Sequence, residues 1–172
     1  MKEAFTHKSL LILGRGIGQV MFQNNALSGL LMLIGIFLNS WQMGLLAVSG
    51  NIISTSTGRI SGYDRDDIKN GLYGFNGTLV GIAVGVFMHL TVNSLILMAI
   101  ASCASTYIAR FFNMQRMLPG FTTLFILSVW MLLGLCSWLM PDMLLVSDTE
   151  TPASSSINYL QCFSMGIGQV MF

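Results

Sequence analysis

Apolar residues fill this chain in long blocks, and the polar interruptions divide it into elements. Five blocks stand out, at about 26–40, 41–57, 71–90, 93–109 and 121–139. Each is close to the ~20 residues that a membrane-crossing helix needs, the first two being short. The break at Asn39-Ser40, beside Trp41, is weak. A single helix from 26 to 57 would nevertheless overshoot a bilayer of about 30 Å by about half, so the pattern predicts two helices and a tight turn. Residues 12–25 are too short and too polar to cross, yet apolar enough to enter, which suits a re-entrant segment buried in protein. Charged or polar residues at 64–69 and 110–119 mark aqueous loops, and 141–163, acidic and rich in Ser and Thr, reads as an external linker. The expectation is an all-α integral membrane fold whose first repeat, residues 1–140, holds five transmembrane helices and one re-entrant helix.

One stretch of the re-entrant segment recurs. Residues 16–22 spell Gly-Ile-Gly-Gln-Val-Met-Phe, and residues 166–172 spell the same word. Identity over seven positions marks an internal duplication, with 164–172 as the start of a truncated second repeat. A unit with an odd number of spans sets its second copy upside down, so the pattern predicts one half of an inverted-repeat protein with its site between the halves, near the midplane. Within the word, Gln19 and Phe22 stand three apart and share a helical face. Gln23, Asn24 and Asn25 follow at once. Amides at the edge of an apolar run are either a cap or a site, and as a cap Asn24 or Asn25 would start the next helix.

The third block carries a second pattern. Leu72, Phe75 and Leu79 fall on one face, with Asn76 beside Phe75, while Gly77, Gly81 and Gly85 form a stripe spaced by four. Such a stripe reads first as a close helix-packing surface.

Composition agrees with the membrane reading: 53% of residues are hydrophobic and 9% charged, with a mean hydropathy of +0.71, against about a quarter charged in soluble chains. A net charge of +1 argues against nucleic acid as a partner. With the N-terminus cytoplasmic, all 8 Lys and Arg fall on the inner side, which sets the orientation. The apolar stretch after Lys2 and Lys8 is interrupted by Arg15 and several amides and lacks a cleavage pattern, so no removable leader is expected. Cys103, Cys136 and Cys162 lack metal-ligand spacing and read as small apolar fillers. Inside the five blocks there is no Asp, Glu, Lys or Arg, and His89 sits at the end of one, as an interfacial residue. Ion-coupled carriers keep such groups in their pathways, so a neutral solute fits better. No base, nucleophile and orienter stand at a plausible spacing, so no enzyme is expected, and neither is a cofactor or metal.

Three stretches carry a resemblance. Gly-Gln-Val-Met-Phe-Gln-Asn-Asn before a Leu-Ser-Gly span, Leu-Tyr-Gly-Phe-Asn-Gly-Thr-Leu-Val-Gly at 72–81, and Leu-Pro-Gly-Phe-Thr-Thr-Leu-Phe at 118–125 resemble the urea transporter family in order and spacing. The resemblance implies a channel-like facilitator of two inverted halves, assembled as a homotrimer in the cell (inner) membrane with a pore through each subunit. It implies Gln19 as a pore-lining acceptor, Phe22, Phe75 and Leu79 as apolar walls, and Thr122 as a threonine near the pore centre. Gln169 and Phe172 repeat Gln19 and Phe22 in the second copy. Leu124 stands where the family often has proline. Urea is flat, uncharged and rich in N–H donors, so a path for it needs apolar walls for its faces and oxygen acceptors at its edge, each unpaired group costing about 1–3 kcal/mol. Ions would be refused, since no charge on the route offsets their desolvation. The expectation is passive urea transport across the bilayer, with this chain a truncated, non-conducting fragment. The rival readings are an ion-coupled secondary transporter of a small amide or amine and a fragment that only packs with other membrane subunits.

Overall fold

A computed structural model describes residues 2–115 and 123–145. Its elements are α1 (Lys2–Gly18), a 3₁₀ turn (Gln19–Met21), α2 (Ala26–Asn39), α3 (Trp41–Ile60), α4 (Arg65–Lys69), α5 (Gly74–Phe87), α6 (Val92–Gln115), α7 (Thr123–Leu139) and a 3₁₀ turn (Pro141–Met143). Among the described residues there is no strand, only an isolated bridge between Met88 and Leu144. The fold is all-α.

Local chemistry explains the boundaries. Asn25 opens α2 by accepting from the Leu27 N–H at 2.9 Å, the capping role open to it in the sequence. Ser40 ends α2 and opens α3, its hydroxyl accepting from the Met43 N–H at 3.3 Å, so the weak break is a real one. Asp64 caps α4 by accepting from the N–H groups of Asp66 and Asp67. Those two bonds, the Asp67 one foremost, hold its carboxyl below the usual 3.8.

Several boundaries differ from the hydrophobic pattern, among them that of α6, which runs to Gln115 where the pattern puts an aqueous loop from residue 110, because Arg110 and the residues after it continue the helix. The helix expected to begin near residue 12 already runs from Lys2, and it ends at Gly18, with residues 22–25 outside any helix. The block 71–90 yields the shorter α5, because 71–73 are spent in a turn and Met88 is drawn out into the bridge with Leu144. At about 1.5 Å per residue its 14 residues reach about 21 Å. By length and composition, one helical segment among the described residues, Val92–Phe112, is long and apolar enough to cross a membrane; Lys8–Met21 and Ala26–Asn39 pass together, bent by 75° at their joint. The 20 residues of α3 are long enough but carry Asn51, Ser54, Thr55, Ser56 and Thr57.

The centre is the seam between α3 and α5. A Cβ on Gly77 would strike the Gly50 carbonyl, and one on Gly81 the Leu46 carbonyl, so the two backbones meet directly. Gly85 continues the contact against Met43 and Leu46. The stripe spaced by four is therefore a packing surface, as its spacing suggests. On the other side of α5, Val80, Ala83 and Val84 form the main apolar core with Met98 and Ala101 of α6 and Val129 and Leu132 of α7. Large apolar side chains cover the outside, among them Leu31 and Leu38 of α2, Ile96 of α6 and Trp130 of α7.

Candidate functional site

Polar side chains gather where α1 meets α3 and α5. Asn51 is fully buried: its Nδ2 donates to the Leu13 carbonyl at 3.2 Å and to the Thr78 hydroxyl at 2.9 Å, while its Oδ1 accepts from Thr55 at 3.2 Å. Its carboxamide fills space that a Cβ on Gly16 or Gly74 would claim. One amide thus ties three helices together.

The repeated word ends beside this hub. Gly18 closes α1, and the chain passes through the 3₁₀ turn to Phe22, the one non-glycine residue with positive φ among those described (φ 55°, ψ 25°). A bulky side chain in the left-handed region costs of order 1–3 kcal/mol and persists only where its surroundings impose it. Phe22 is also 62% exposed, so burial does not offset that cost.

Gln19 lies half-buried in the turn. Its Nε2 donates to the Asn70 carbonyl at 3.0 Å, across the loop that leads into α5. The same loop is held twice more, by Arg15 donating to the Lys69 carbonyl at 3.2 Å and by Asn24 Nδ2 donating to Asn70 Oδ1 at 3.0 Å. Gly71 adopts φ +77° and its Cα lies against the backbone of Arg15 and Gly16, where a Cβ would not fit. The turn packs on α5, whose first residues carry Phe75, 8% exposed, and one helical turn later Leu79, half-buried.

The structure therefore brings Gln19 to the entrance of α5, close in sequence to Phe75. Phe22 is exposed where Phe75 is buried, so the two expected walls differ in accessibility. Thr122, Gln169 and Phe172 lie outside the described residues. Sequence reasoning missed Asn51, Asn24 as a partner in this contact, and Asn70. The Asn70-Gly71 pair was a readable signal, since Asn-Gly marks a turn needing positive φ.

Charged residues gather around the loop that leads into α5. Lys69 pairs with Asp66 at 2.8 Å, exposed; Arg110 stands 5.3 Å over the Tyr63 ring, which packs on Tyr73. Asp67 titrates above the usual 3.8, first because of burial and then because of the Asp64 charge, with Arg110 and a hydrogen bond to Tyr73 opposing. Among the described residues no cluster of His, Cys, Asp and Glu is placed to hold a metal.

The site thus joins a half-buried amide at a helix break to a strained, exposed aromatic. The family model described as "Urea transporter" matches residues 10–172. The chain belongs to the urea transporter family. It is therefore a membrane protein, and the apolar outer faces of α2, α6 and α7 are what such a protein presents to lipid. It is similar to urea transporter 1 of Mus musculus, 41% identical over 75 residues, which is 44% of this chain and 20% of that protein. Urea transporter 1 of Rattus norvegicus is 42% identical over 73 residues, covering 42% of this chain and 19% of the relative. That of Ovis aries is 40% identical over 73 residues, with the same coverage. The match thus spans about a fifth of the length of these curated relatives.

Proposed function

We propose that this urea transporter family chain supplies one half of a passive, channel-like path for urea. The observation that carries the reading is the placement of the half-buried Gln19 amide at the break between α1 and α2, against the entrance of α5 with its Phe75 and Leu79 face. The amide oxygen accepts from urea N–H groups. Phe22, Phe75 and Leu79 strip water from its flat faces, and Thr122 adds a hydroxyl acceptor deeper in the slot. Gln169 and Phe172 begin the opposing wall, in an inverted second half. In this reading α1 with its 3₁₀ turn is the re-entrant element, α2, α3, α5, α6 and α7 are five spans, and the N-terminus faces the cytoplasm of a cell whose inner membrane holds the protein as a homotrimer. The short α5 fits such a role only where neighbouring helices, rather than lipid, surround its ends.

No charged residue lies within α2 or α5, which supports a path without a coupling ion. The test is stopped-flow urea efflux from proteoliposomes of the protein with both halves present. Flux is expected to survive a proton or sodium ionophore and to be lost in Phe75→Asp. Flux that collapsed with the gradient, or that persisted in Phe75→Asp, would overturn the reading.

A further inference from the structure

A carboxamide has two ends of almost equal shape and opposite hydrogen-bonding sense, so a glutamine serves as an acceptor only if something fixes which end faces the path. At Gln19 the fixing group is visible. Its Nε2 donates to the Asn70 carbonyl, and Oε1 accepts no hydrogen bond among the described residues. A flipped amide would set two oxygens against each other at 3.0 Å and aim its NH₂ away from the one acceptor it has.

The Asn70 carbonyl can select the rotamer only because the loop carrying it is immobilised from three sides. Its own N–H closes α4 on the Asp66 carbonyl at 2.9 Å. Its side-chain Oδ1 accepts from Asn24, a residue of the joint that follows Gln19. The next residue, Gly71, lies backbone to backbone on Gly16, one turn before Gln19. The contacts therefore form a closed circuit, from Gln19 to Asn70 to Asn24 and back along the chain.

We propose that Asn70 is a positioning residue for Gln19, and that with Asn24 it holds the Gln19 amide oxygen toward the path as an acceptor for N–H donors. The inference rests on the urea reading of this site. It assigns Asn70 no contact with the solute. It also makes the left-handed Phe22 the consequence of a chain that must leave Gln19 and return within a few residues to place Asn24 on Asn70.

The test is a double-mutant cycle on urea permeability, in proteoliposomes of the protein with both halves present. Asn70→Leu removes the Asn24 contact while keeping the side chain's volume and is expected to lower urea permeability about three- to tenfold. Asn70→Asp, which keeps the acceptor for Asn24, is expected to retain most of it. In a Gln19→Leu background, Asn70→Leu is expected to cost nothing further, because the group it positions is gone. Equal losses in both backgrounds, or no loss in either, would overturn the positioning role, since a merely structural defect adds to the Gln19 loss. Should Asn70→Leu fail to assemble, Asn24→Leu, on an exposed side chain, runs the same cycle with the same expectations. A parent protein that passes no urea at all would instead sink the urea reading, before any variant is compared.

Discussion

The seam between α3 and α5 and the joint between α1 and α2 lie near each other and are built on opposite terms. At the seam, glycine stands against backbone, Asn51 has partners for both ends of its amide, and almost nothing is exposed. At the joint, the exposed Phe22 holds a costly backbone conformation, and the Gln19 oxygen accepts no hydrogen bond among the described residues. The first arrangement is what stability asks for. The second is tolerated only because the first holds it in place, and in the proposed urea reading it is where the solute is met.

Breaking the seam should have the largest effect. Gly77→Leu drives a side chain into the Gly50 backbone, which cannot move aside, so the protein should fail to fold, a loss exceeding about 3 kcal/mol. Size-exclusion chromatography in detergent checks it, and a monodisperse peak with an unchanged melting temperature would contradict the picture. Asn51→Leu should cost about 1–3 kcal/mol, because Leu13, Thr78 and Thr55 each lose a buried partner. Asn76 sharpens that comparison: it is as fully buried, yet neither end of its amide has a partner among the described residues. Asn76→Leu should leave the melting temperature unchanged or raise it, since an isosteric apolar group removes a desolvation cost and breaks no bond.

At the joint the signs should reverse. Phe22→Gly should raise stability by up to about 1 kcal/mol, as glycine accepts φ 55° freely, while urea flux in the protein with both halves falls. Parallel melting and efflux measurements decide it; a fall in both would mean that Phe22 is part of the scaffold.

The smallest effect is electrostatic. The carboxyl of Asp67 titrates above 3.8 in the folded state, so folding disfavours its charged form. Its contribution to stability therefore rises as pH falls through that raised value toward 3.8, and is at its worst at neutral pH. Asp64 works the other way, contributing above 3.8 and losing that contribution as pH falls through its lowered value. Asp67→Asn should thus raise the melting temperature slightly at neutral pH and remove the acid-side gain. An unchanged pH profile would show that Arg110 and Tyr73 already offset the burial.

What the sequence disclosed follows the same division. The glycine stripe, the Asn25 cap and the Ser40 break were legible because each rests on local rules: spacing by four, side chain to nearby backbone, and helix length against bilayer thickness. Gln19 and Phe22 could be nominated from their recurrence and residue type. What joins Gln19 to Asn70 could not, because that bond spans 51 positions and depends on a backbone oxygen that every residue has. The early start of α1 was hidden for a different reason. Lys2, Glu3 and Lys8 break the apolar pattern ahead of residue 12, yet Lys and Glu are good helix formers and the helix runs through them.

The cap that Ser40 provides has a consequence for anyone dissecting this protein by insertion. One residue closes one helix and opens the next, so there is no slack there to absorb added chain. A single extra residue would turn α3 by about 100° relative to α2, swinging Gly50 and Asn51 out of their seats. The turn at Gly62 is the opposite case: its φ is +68° and no atom lies near the space a side chain would fill. Epitope tags and fluorescent reporters belong at Gly62, and a scan of such insertions should find its least permissive point at Ser40.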